Sequence, residues 1–190
     1  MIKQYNDFKK EKLGTPREIL PAGGYVGKII SAKAESYDWG DVLVMAYDIT
    51  EGEFTNFFRR DYDNNPNEDK KWRGTLRLNI PTDSSDEKNS WRKRAFNNFI
   101  ACVEESNPGF AWKWDEKDLK NKAIGVLVRE REWEMNGNTG WTTEASGTAT
   151  VDAIREGKFK VPKPYALKKT ETAAPSFAPA AVEDDGELPF

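Results

Sequence analysis

Cations and flat side chains are interleaved in three short stretches of this sequence. "FFRRDY" sets Phe57 and Phe58 beside Arg59 and Arg60. "KKWRGTLR" places Trp72 between Lys71 and Arg73 and ends on Arg77, and "WRKR" runs from Trp91 to Arg94. Positive side chains can follow a row of phosphates, and aromatic faces can stack on bases of any kind. Together they are what sequence-tolerant binding of a single strand requires. With Trp39 in the loop "DWGD", Tyr47 on the next strand and two late strand cations, the candidate interface is Trp39, Tyr47, Phe57, Arg59, Arg60, Lys71, Trp72, Arg73, Arg77, Arg129 and Arg131. Aromatics have a second use, as core. Trp91, Phe96 and Phe99 are expected to pack inside, whereas Trp39 and Trp72 stand in polar loop contexts where either use is open.

Catalytic chemistry has less to work with. The chain has no histidine, which removes the usual general base and the common zinc sites. "DYDNNPNEDKKW" begins like a calcium loop at Asp61, Asp63 and Asn65, but Pro66 stands where Gly is required and Trp72 where the bidentate Glu belongs. "EDK" at Glu68 to Lys70 has the acid-x-Lys form used by some metal-dependent nucleases, a triplet expected by chance in a chain with 32% charged residues. No cofactor is expected, and the chain is read as a non-enzyme. A single cysteine, Cys102, cannot close an intramolecular disulfide and is expected beside the core, which suits a reducing cytoplasm. The sequence offers no secretory leader and no membrane-spanning run.

The elements that must hold these residues read as strands with one good helix. Gly24 to Tyr37, Val42 to Gly52 and Phe54 to Tyr62 are expected as three strands of a meander. Ser84 to Ser106 is expected as a helix, with Ser84 and Glu87 at capping-box spacing and Trp91, Ala95, Phe96, Phe99, Ile100 and Val103 on one stripe. Lys122 to Met135 and Gly140 to Val151 follow as two strands joined through "NGNTG", a strong hairpin signal. Three strands, a helix and two strands is the order of an OB-fold, a five-stranded antiparallel barrel with its helix between strands 3 and 4. That barrel binds oligonucleotides on the face of strands 2 and 3, between the loops joining strands 1 to 2 and 4 to 5. Another small barrel or a β-sandwich is the alternative.

Charge divides the chain. The net charge is −3, yet from Thr170 onward there are five acids and no base. The body therefore holds all 29 bases against the remaining 27 of 32 acids, a net of +2. A slightly basic body suits an anionic ligand. Residues 1–165 are read as the binding domain. Residues 166–182, where "TETAAPSFAPAAV" has no apolar period, are read as a disordered linker. Residues 183–190, "EDDGELPF", form an acidic tip that ends on an aromatic.

That tip resembles the C-terminus of bacterial and phage single-stranded DNA-binding proteins: acids, a hydrophobic residue, Pro and a final Phe. Gly186 interrupts the usual acidic run. Leu20 to Phe54 is similar to the opening of a group of phage proteins encoded among replication and recombination genes and regarded as single-strand binders. The core of the bacterial tetramer is not matched, so the resemblance leaves a homo-oligomer open. It implies a protein that coats and protects single-stranded DNA, without strong sequence preference, during phage replication or recombination in the host cytoplasm. It also implies that Glu183, Asp184, Asp185, Glu187, Leu188, Pro189 and Phe190 recruit a polymerase, helicase, primase or nuclease. An adaptor whose barrel binds protein and a metal-dependent nuclease using the Asp61 to Asp69 carboxylates are the competing readings.

Overall fold

The computed structural model describes residues 18–167 together with residue 3. Of the expected linker only Ala166 and Leu167 are described, the Leu167 N–H donating to the Glu132 carboxylate at 3.0 Å; residues 168–182 and the acidic tip lie outside the described residues. Five antiparallel strands form one sheet: β1 (Gly23–Tyr37), β2 (Gly40–Ile49), β3 (Thr75–Asn79), β4 (Ala123–Met135) and β5 (Asn138–Ala149), in the order β3-β2-β1-β4-β5. The long β1 serves two partners. Gly23 to Lys28 pair with β4 and Gly27 to Tyr37 with β2, and Ile30 is the extra residue of a bulge between the paired Ile29 and Ser31. A bulge bends and twists the strand that carries it, and here it lies within the β2 ladder, just past the last residue paired with β4. The edge strands β3 and β5 come close to each other but share no ladder, so the sheet is not closed by hydrogen bonds.

Alternation along β2 and β4 buries Leu43, Met45, Tyr47 and Ile49 on one strand and Ile124, Val126 and Val128 on the other. Helix α2 (Glu87–Ser106), between β3 and β4, covers this face with Phe96, Phe99 and Val103. Its start differs from expectation. Asp86, not Ser84, is the N-cap, accepting from the Asn89 N–H at 2.8 Å while Ser84 Oγ bonds the Asp86 carboxylate. Trp91 also departs from the expected core stripe and is exposed. It stands two residues from buried Asn89, about 200° round the helix, so it faces away from the sheet. Cys102 is buried as expected, and burial pushes its thiol pKa up.

The expected third strand over Phe54 to Tyr62 is instead helix α1 (Phe57–Asn64), and β3 comes later, at Thr75–Asn79. Two observations explain the difference. Phe57 and Phe58 are adjacent and both buried, whereas a strand would send them to opposite faces. The helix start is also capped from afar: the Asp48 carboxylate accepts from the Phe58 and Arg59 N–H groups at 3.0 and 3.1 Å, and from the Ile49 N–H at 2.9 Å. Helix α3 (Val151–Arg155) follows β5.

Beyond Val128 the β4–β5 hairpin runs on past the end of β1 to a turn at Asn136 and Gly137, both with positive φ. The edge of β4 left open there is bridged by Tyr165. Its N–H donates to the Glu130 carbonyl, and its carbonyl accepts from the Glu132 N–H. Among the described residues, no helix is long and apolar enough to cross a membrane.

Candidate nucleic-acid interface

Where β3 and β5 approach each other, a groove of about 450 Å³ opens. Arg73, Thr75 and Arg77 form one wall; Thr142, Thr143 and Glu144 form the other, with Arg131 of β4 beside them. Side-chain alternation places Thr75, Arg77, Arg131, Thr142 and Glu144 there. Thr75 and Arg77 are alternate residues of β3, and Arg131 and Thr142 are direct cross-strand partners. Tyr47, Phe57 and Phe58 floor the groove.

Three expected cations, Arg73, Arg77 and Arg131, thus converge on one surface with Tyr47 and Phe57. The two aromatics serve differently from expectation. Each is only 2% exposed, so neither presents an open ring face to a base. Burial, and after it the Asp48 carboxylate, pushes the Tyr47 phenol pKa up, so it stays a neutral floor. Arg73 Nη1 lies 3.4 Å from Asp61 Oδ1.

Exposed aromatics lie outside the groove. Arg77 Nη1 donates to Tyr37 Oη at 3.3 Å, and the Tyr37 ring stacks on Trp39 with centroids 5.2 Å apart and planes at 9°. Trp39, 58% exposed at the β1–β2 turn, is therefore tied to the groove through Tyr37 and Arg77. On the β4–β5 hairpin, Trp133 and Trp141 are also exposed, Trp133 on the face of Arg131 and Trp141 on the opposite one. Trp133 lies flat on the hairpin backbone: a Cβ at Gly140 would come within 2.7 Å of its ring.

The remaining expected residues fall elsewhere. Trp72 is half-buried, and its Nε1 donates to the carbonyls of Tyr47 and Gly74, both at 3.1 Å, while its ring leans on Tyr62. It braces β2 against the approach to β3. Gly74 is required beside it, because a side chain there would strike the Tyr47 carbonyl and the Phe58 ring. Arg59 pairs with Asp63 at 2.8 Å on the exposed face of α1. Arg60 and Lys71 are exposed and do not line the groove. Arg129 lies next to it, its guanidinium over the Tyr165 ring and bonded to Glu144. Among the described residues, no three His, Cys, Asp or Glu side chains gather as a metal-binding group.

Tyr37, Thr142, Thr143 and Glu144 were not singled out from the sequence. The turn residues Asn136 and Gly137 carry the signal for Glu144, since counting equally outward from them sets it opposite Arg129.

No protein-family model matches the chain, and no curated protein matches it significantly.

Proposed function

We propose that this chain is a single-stranded DNA-binding protein built on an OB-like barrel, with β3 and β5 as the strands that nearly close it. The observation that carries this reading is the convergence of Arg73, Arg77 and Arg131 on the β3–β5 groove, with the Tyr37–Trp39 stack bonded to one of those arginines. A strand laid along the groove meets cations in its middle and open aromatic faces towards the β1–β2 turn and the β4–β5 hairpin. Such contacts read backbone charge and base faces, so strong sequence preference is not expected. A duplex is too wide and stiff to enter a groove of this size.

The biological setting follows from the resemblance alone: coating and protection of DNA during phage replication or recombination, with recruitment of partner proteins through residues 183–190. No catalytic step is assigned.

Tryptophan fluorescence titrated with oligo-dT, duplex DNA, single-stranded RNA and buffer tests the reading. Quenching that saturates with oligo-dT, is much weaker with duplex and fades as salt rises is the expected result, with log affinity falling by about 0.7 per phosphate contacted for each unit of log salt. No binding of oligo-dT at low salt, or equal binding of duplex, overturns it. Magnesium-dependent loss of the substrate would point to a nuclease instead.

A further inference from the structure

We propose that Glu144 is a built-in phosphate mimic that holds Arg129 and Arg131 until a strand displaces it, and so sets the affinity and salt dependence of the groove. The inference rests on the reading of the groove as a single-strand site. Both oxygens of this carboxylate are engaged. Arg129 Nε and Nη2 donate to Oε1 at 3.0 and 2.7 Å, and Arg131 Nη1 donates to Oε2 at 2.9 Å. Arg129 and Glu144 are direct cross-strand partners, and Arg131 is two residues on, so all three side chains share one face of the hairpin. Glu144 and Arg131 both line the groove, opposite Arg73 and Arg77.

The guanidinium fork fits carboxylate and phosphate alike. Two anionic oxygens shared between two arginines present the same pattern as the free oxygens of a phosphodiester. The side chains are 27% exposed for Glu144, 32% for Arg129 and 51% for Arg131. Ion pairs this open to water are weak, so an incoming phosphate can take the arginines over. Two positive charges partly cancelled by one negative then attract the strand with a net of one. The carboxylate, left beside the phosphates, opposes it.

A full-length chain carrying Glu144→Gln, compared with wild type and Glu130→Gln in oligo-dT titrations from 50 to 200 mM salt, tests this. Glu130 sits between the two arginines in sequence, on the opposite face of β4. Its exchange therefore makes the same change in charge without touching them. Glu144→Gln is expected to bind more tightly than wild type, with a log–log salt slope steeper by about 0.7, one phosphate's worth. Its advantage should thus be about 2.6-fold larger at 50 mM than at 200 mM salt, while Glu130→Gln follows wild type. Binding by Glu144→Gln alone would support the masking even more directly.

Equal effects of the two variants reduce Glu144 to general surface charge and overturn the proposal. Weaker binding by Glu144→Gln overturns it too, because the carboxylate would then be positioning the arginines. Wild-type binding with an unchanged Glu144→Gln slope removes this inference alone. Absence of binding by every variant removes the single-strand reading with it. Glu144→Thr, which matches its strand neighbours Thr142 and Thr143, repeats the test should Gln disturb folding.

Discussion

At the scale of single residues, two tryptophans that look alike in sequence do opposite work. Both stand in polar stretches next to charge, yet Trp39 is 58% exposed and stacked on Tyr37, while Trp72 is half-buried with its indole N–H shared by two carbonyls. Their alanine variants should therefore separate binding from stability. Trp39→Ala is expected to cost about 1–3 kcal/mol in oligo-dT affinity and to leave the melting temperature near wild type. Trp72→Ala removes a brace between β2 and β3 and leaves two carbonyls without that donor. It is expected to cost about 2–4 kcal/mol of folding stability, less than a fully buried aromatic would. Urea denaturation and fluorescence titration of the same two proteins check both. A destabilised Trp39→Ala would make that indole part of the core, and a stable Trp72→Ala with poor binding would reverse the assignment.

At the scale of elements, Asp48 decides what the segment after β2 becomes. Its carboxylate is 8% exposed and takes three backbone N–H groups, two of them at the start of α1. Asp48→Ala leaves those donors without their acceptor, and a loss of about 2–4 kcal/mol is expected. Asp48→Asn, which keeps one acceptor oxygen, should lose less. Urea midpoints measure both, and a change under about 0.5 kcal/mol in the Ala variant would mean that α1 is held by its phenylalanines alone. This long-range cap also explains the misread strand: local propensity in "FTNFF" favours β structure, and the residue that overrides it lies ten positions upstream of Phe58. Where local signals suffice, the sequence was legible. Strand-rich composition between turn signals located β1, β2, β4 and β5, the Asn-Gly turn located the hairpin, and the Phe96, Phe99, Val103 spacing located α2. The arginines of the groove were legible as types but not as neighbours, because Arg73 and Arg131 meet only through the pairing order of the whole sheet.

At the scale of the whole molecule, a body of net +2 is joined to an end that carries five acids and no base. Four of those acids lie in residues 183–190; if residues 166–182 act as the linker expected from the sequence, the acids compete for the groove arginines at high effective concentration. Ending the chain after Val182 removes that competing charge and leaves the sequence of the described body whole. With residues 183–190 acting as the tip expected from the sequence, the melting temperature should hold within about 2 °C. Oligo-dT affinity should stay level or rise, most at low salt, where screening is weakest. Phe190→Ala keeps every acidic side chain and removes the terminal aromatic, the kind of anchor that carries binding energy in a small interface. Its oligo-dT affinity should match wild type, while capture of partner proteins should fail in it as in the truncated chain. Titrations with oligo-dT and pull-downs from the natural host's lysate, run on the intact, truncated and Phe190→Ala chains, read both quantities. Equal capture by all three would make residues 183–190 a solubilising extension, and a truncated chain that binds DNA more weakly would show that the acids support the groove instead of competing for it.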